Sequence, residues 1–108
     1  EYNGYRVSSV NRAFVEMITN VQYLQSSETI IEVFTKIKEK LNLDTIYTII
    51  EKFDFIYPYF QLAGFYLEQI GFLKAELVKF YDKKSKLNFY TQKNKNHYEF
   101  DEYWKVYY

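Results

Sequence analysis

The chemistry open to this chain is bounded first by what it lacks. Its 108 residues hold one histidine, His97, and no cysteine. Disulfides, thiolate zinc sites and cysteine nucleophiles are excluded together, which fits a reducing compartment. A metal site would have to be built from carboxylates alone, and no compact, suitably spaced cluster is present. His97 therefore reads as a loop histidine. The serines sit where helix caps and loops are expected, without the base and orienting acid that Ser/His/Asp chemistry needs. Glu99, Asp101 and Glu102 are adjacent acids on an exposed strand, where carboxylates face water or offset nearby lysines. With glycines only at Gly4, Gly64 and Gly71, a phosphate-cradling loop cannot be assembled. No cofactor and no enzymatic activity are expected. An enzyme would require Glu16, Glu68 and a tyrosine to converge in a deep pocket.

Binding chemistry is better represented. From Lys79 to Lys95 there are six lysines against one acid, Asp82, interleaved with Tyr81, Phe89 and Tyr90. Single-stranded nucleic acid or a phosphate backbone would use such a mixture, with Lys83, Lys84, Lys86, Lys93 and Lys95 as contacts. The structural alternative is a solubilising helix end and loop, favoured by the absence of any arginine fork there. Arginine occurs only as Arg6 and Arg12. Glu16 follows Arg12 by four residues, the spacing of an intrahelical ion pair. Gly64 interrupts a strong helical pattern at a cost of about 1 kcal/mol relative to alanine. Close approach of another helix is the expected compensation, and a ligand nestling on bare backbone the alternative.

Five helices are expected to position these groups. Val10, Phe14, Met17, Ile18 and Val21 mark one face of the first, capped by Ser8 or Ser9. Ser26 or Ser27 caps a second, carrying Ile30, Phe34, Ile37 and Leu41, with Lys36, Lys38 and Lys40 toward its C-terminal end. Asp44 caps a third with Ile46, Ile49, Ile50 and Phe53, expected antiparallel to the second because the connection is short. Pro58 belongs to the first turn of a fourth, which buries Leu62, Ala63, Tyr66, Leu67 and Ile70 and stops at Gly71. Leu73, Leu77, Val78 and Tyr81 start a fifth that fades near Lys83 to Lys86. Leu87 to Thr91 and Tyr98 to Tyr107, flanking a polar Gln92 to Asn96 loop, read as a hairpin. The fold class is thus mainly α: a five-helix, bundle-like domain with a small C-terminal β-hairpin, α+β overall.

A chain of this length forms one domain, residues 1–108, around one core. Formal charge is zero, so general attraction to nucleic acid or anionic lipid is not expected, although the C-terminal third is mildly basic, with eight bases against five acids from residue 73 onward. No apolar run reaches the roughly 20 residues of a membrane span, and a cytoplasmic location is the expectation. Thirteen tyrosines and ten phenylalanines are too many to bury fully in so small a body. Several should keep the ring packed and the hydroxyl wet, which suits a partner surface or self-association.

Two segments, Val7-Ser8-Ser9-Val10-Asn11-Arg12-Ala13-Phe14-Val15-Glu16 and Leu62-Ala63-Gly64-Phe65-Tyr66-Leu67-Glu68-Gln69-Ile70-Gly71, together resemble the C-terminal domain of AbiEi-like proteins. That family comprises antitoxins and transcriptional regulators of abortive-infection, or viral-defence, systems. The matches are Arg12, Phe14, Val15 and Glu16 in the first pattern and Leu62, Gly64, Leu67, Glu68 and Gly71 in the second. The closing aromatic segment Trp104 to Val106 is similar as well. Asn11 stands where the family has Glu, and Gln61 where it often has Arg, so an ion pair linking those positions is absent. The resemblance implies a non-enzymatic regulatory domain whose partner is a nucleotidyltransferase-like toxin. It also implies that this chain, which starts at Glu1 rather than Met, is the C-terminal part of a longer protein whose N-terminal winged helix would contact DNA. Arg12, Glu16, Leu62, Gly64 and Glu68 are then the partner or structural motif. An accessory nucleic-acid-binding or dimerisation module using Lys79 to Lys95 is the alternative.

Overall fold

The computed structural model describes residues 2–19, 27–52, 59–84, 86, 88–90 and 97–108. The helices, in chain order, are α1 (Tyr2–Thr19), α2 (Ser27–Lys36), α3 (Leu43–Lys52), α4 (Phe60–Ile70) and α5 (Val78–Asp82). Short 3-10 turns at Lys38–Lys40 and Lys74–Leu77 precede α3 and α5. The strands β1 (Phe89–Tyr90), β2 (Phe100–Asp101) and β3 (Val106–Tyr107) close the chain. The molecule is mainly helical with a small C-terminal hairpin, the expected α+β class.

The core forms because apolar side chains recur at helical spacing on each element and meet at α4. Phe14, Val15 and Ile18 of α1, Ile30 and Phe34 of α2, and Ile46 and Ile50 of α3 are buried together with Leu62, Phe65, Tyr66, Leu67 and Ile70. Phe14 meets Phe34 edge-on, with ring centroids 5.2 Å apart. On α4 every residue from Gln61 to Leu67 is buried, so this helix is axial and not amphipathic: α1, α2, α5 and β3 all pack on it. Gly71 ends it with φ +131°. Its N–H reaches the Glu68 carbonyl (3.1 Å) while the Phe72 N–H reaches that of Leu67 (3.0 Å), so two otherwise orphaned carbonyls are satisfied.

Several expected boundaries shift. α1 begins at Tyr2, which places Ser8 and Ser9 inside it and not at its cap; Tyr2 to Val7 contains no proline to stop a helix running back. The cap of α3 is Asn42, whose Oδ1 accepts the Thr45 N–H at 2.8 Å, while Asp44 lies exposed in the first turn. The main packing partner of α3 is α1 and not α2, because the 3-10 turn redirects the chain and the buried Asn11 Oδ1 holds the Asn42 N–H at 2.8 Å. Before α5, the 3-10 turn changes the helical phase, so Leu77 and Phe80 are buried while Leu73 (67% exposed) and Val78 (51%) face solvent. The expected positions Val21, Ser26, Phe53 and Pro58 lie outside the described residues, as does the side chain of Ser27.

The sheet order is β1-β3-β2. The hairpin lies wholly within the second expected strand segment: β2 and β3 are antiparallel, pairing Phe100 with Tyr107 and Asp101 with Val106. β1 does not form the hairpin's other arm. It runs parallel to β3, with Phe89 opposite Val106. The connecting turn contains Lys105 at φ +59°, a left-handed conformation unusual outside glycine, asparagine and aspartate.

Candidate functional site

Of the residues singled out from the sequence, Gly64 and Glu68 meet at Trp104. Leu62 and Gly64 lie on the buried face of α4, and Trp104, itself fully buried, covers Gly64 so closely that a Cβ there would stand 2.3 Å from its Cη2 and Cζ3 atoms. The compensation for glycine in this helix is therefore an aromatic ring from the C-terminal turn, not a neighbouring helix or a ligand. One turn along α4, Glu68 Oε1 accepts the indole Nε1–H at 2.8 Å, and Glu68 Oε2 pairs with Lys74. One turn earlier, the buried Gln61 donates its Nε2–H to the Trp104 carbonyl at 2.9 Å. Asp101 Oδ1 accepts the Trp104 N–H at 3.0 Å, fixing the turn that presents the indole. Ring, indole nitrogen, backbone N–H and carbonyl are each held.

An aromatic layer extends this clasp outward. Tyr103 stacks on Tyr81 of α5, with centroids 4.3 Å apart and an interplanar angle of 26°. Both rings meet Trp104 edge-on. Lys84 Nζ lies 4.4 Å from the Tyr81 centroid and donates to the Tyr103 carbonyl at 3.2 Å. Lys74 Nζ lies 4.9 Å from the Tyr103 centroid. The Lys74 ammonium is held above its ordinary pKa of 10.5, first by its hydrogen bond to Glu68, which outweighs the opposing desolvation, and then by the charges of Glu68, Asp101 and Tyr103.

These contacts divide the basic segment. Lys84 is tied to Tyr81 and Tyr103, while Lys79 pairs with Asp44 and overlies the Tyr47 ring at 4.9 Å. Lys83 and Lys86 are exposed, and Lys93 and Lys95 lie outside the described residues. Arg12 and Glu16 are exposed on α1, away from the buried face that carries Phe14 and Ile18. His97 is also exposed, its Nε2 3.4 Å from Glu99 Oε2. Among the described residues no group of three His, Cys, Asp or Glu side chains could hold a metal, and no helix is long and apolar enough to cross a membrane.

The sheet that the clasp secures has two unlike faces. Val106 is fully buried, and Tyr108 packs on Phe65 of α4 with centroids 5.0 Å apart. The alternate positions form a second aromatic group: Phe100 lies 4.6 Å from Tyr107 and Tyr98 lies 6.1 Å from it. Phe100 is 42% exposed, one of four large apolar side chains of that exposure among the described residues. This surface was missed in the sequence beyond the general excess of aromatics. Its signal was the alternation Tyr98, Phe100 against Glu99, Asp101, the period-two pattern of a half-buried strand. Comparisons of the chain with protein-family models, with curated proteins and with solved structures find no match.

Proposed function

We propose that this chain is a non-enzymatic interaction domain whose contact surface is the outer face of the C-terminal sheet. The observation that carries the reading is a division of labour. Glu68, Gln61, Asp101, Lys74 and Lys84 are engaged in fastening Trp104 and its neighbours, whereas Tyr98, Phe100 and Tyr107 are grouped on the face turned from the core. Half-exposed aromatic clusters with a polar rim are what protein interfaces are made of. In its specific form the domain supports neutralisation or regulation by an AbiEi-like antitoxin. The resemblance in α1, α4 and the closing segment motivates this, and Gly64 and Glu68 meeting Trp104 is consistent with their belonging to one structural motif.

The test is co-expression with a nucleotidyltransferase-like toxin encoded beside it. The expected result is relief of growth arrest, lost in a Tyr98→Ser/Phe100→Ser variant that retains the buried Trp104 fluorescence. Arrest that continues unchanged removes the antitoxin form. Direct binding to a purified partner that ignores both substitutions removes the sheet face as the contact surface.

A further inference from the structure

The exposed aromatic face ends at a strand edge, and the hydrogen-bond register shows which backbone groups that edge offers. The Glu99 N–H donates to the Tyr108 carbonyl at 2.8 Å and the Tyr108 N–H to the Glu99 carbonyl at 2.9 Å. Glu99 and Tyr108 are thus a hydrogen-bonded pair. In an antiparallel ladder such pairs alternate with non-bonded ones, so Phe100, opposite Tyr107, directs its N–H and carbonyl away from β3. β2 is an outer strand of the sheet, and among the described residues none pairs with that side. Phe100 therefore combines an exposed ring on the outer face with an outward donor and acceptor on the edge. An edge strand offers unpaired groups of this sort to an added strand.

Charge decides what kind of strand fits. Glu99 and Asp101 flank Phe100 and project to the opposite face, and Glu102 follows; from His97 to Tyr108 there are three acids and one lysine. Antiparallel pairing with a second copy about Phe100 would set Glu99 against Asp101 twice, and like charges directly opposite are destabilising. A nucleic-acid backbone would meet the same acids. We propose that the β2 edge accepts an extended peptide segment of a partner protein with the pattern basic–apolar–basic. The central apolar residue pairs with Phe100 and joins the Tyr98, Phe100 and Tyr107 surface, and the basic residues stand opposite Glu99 and Asp101. This deepens the interaction reading above and rests on it.

The experiment titrates the isotope-labelled 108-residue chain with the blocked peptide acetyl-Thr-Lys-Val-Arg-Thr-amide, read by amide chemical shifts. Binding is expected, with shifts centred on Phe100 and slowed exchange of its amide. Replacing the peptide's Lys and Arg by Glu, or N-methylating its Val to remove the donor facing the Phe100 carbonyl, weakens binding by about tenfold or more. Phe100→Pro removes the outward N–H, and the exposed ring with it, without touching a ladder bond and has the same effect. Trp104 fluorescence checks that this variant folds, and the N-methyl peptide asks the same question of the unaltered chain. Absence of binding at millimolar peptide overturns the proposal, as does equal binding of the Glu peptide. Binding indifferent to N-methylation yet weakened by Phe100→Pro overturns strand addition while leaving the aromatic face as an interaction surface, and binding indifferent to both overturns the face as well. A concentration-dependent dimer abolished by Phe100→Pro would replace the peptide with a second copy. Failure of toxin neutralisation beside successful peptide binding removes the antitoxin reading alone.

Discussion

Trp104 lies over Gly64 with no room for a single added carbon: a Cβ at that position would be 2.3 Å from two atoms of the indole. Alanine normally improves a helix interior by about 1 kcal/mol over glycine. Here the ring must leave its seat to admit the methyl, and overpacking of this kind costs about 1–3 kcal/mol even when the surroundings yield. Gly64→Ala should therefore destabilise the domain by about 1 kcal/mol net in urea unfolding, and not stabilise it. In a Trp104→Leu background the same substitution should cost little, because the two side chains share one volume.

Glu68 separates the two bonds it makes. Glu68→Ala strands the buried indole N–H, and an unsatisfied buried donor costs about 1–3 kcal/mol. Glu68→Gln keeps an acceptor for Trp104 and loses only the ionic partner of Lys74, whose side chain is 49% exposed. Exposed pairs contribute little, so that change should stay within about 1 kcal/mol. Equal losses in the two variants would show that the ion pair and not the indole bond matters.

The pH dependence of the Lys74 contact has a definite sign. Folding raises its pKa above the ordinary 10.5, so the folded state binds the proton more tightly than the unfolded chain does. The contribution is complete below the ordinary lysine value and disappears as pH rises through the raised folded value. Carbon-detected titration of the Lys74 Cε should show the upward shift, and Glu68→Gln should return it toward 10.5.

Asn11 and Gln61, the two positions that depart from the AbiEi-like pattern, are the two fully buried polar side chains among the described residues. Each reaches a backbone group far along the chain, Asn42 N–H in one case and the Trp104 carbonyl in the other. Asn11→Ala and Gln61→Ala should each lose about 2–4 kcal/mol, the sum of an orphaned backbone group and a cavity. Because they fasten different elements, their effects should add in the double variant.

Much of the helical core was legible because burial follows spacing: Ile30 and Phe34, or Ile46 and Ile50, repeat at the helical period and are buried, whereas Leu41, expected on the same helix as Phe34, is buried from an extended residue beyond a 3-10 turn. Phe80 escaped notice because a 3-10 turn at Lys74–Leu77 shifts the phase just before it. The parallel pairing of β1 with β3 could not be read, since strands of two residues carry no alternation and the two strands are distant in sequence. Gly64 announced a close approach through its helix cost, yet nothing local named Trp104 as the visitor. Glu68 was visible as part of a motif, but its role depends on an indole supplied from another part of the chain.

The bond between Gln61 and the Trp104 carbonyl spans 43 residues, and that between Glu68 and the indole spans 36. Closing loops of this length requires ordering intervening chain before either contact forms, which slows the step relative to local helix formation. Refolding should accordingly show helical ellipticity rising ahead of the tryptophan signal, with the two traces separating in stopped-flow records. In native-state hydrogen exchange the amides of Glu99 and Tyr108 should open together with the indole as one cooperative unit. The two ends of the molecule would then differ in lifetime as well as in shape, and the aromatic surface would be present only while the tryptophan is seated.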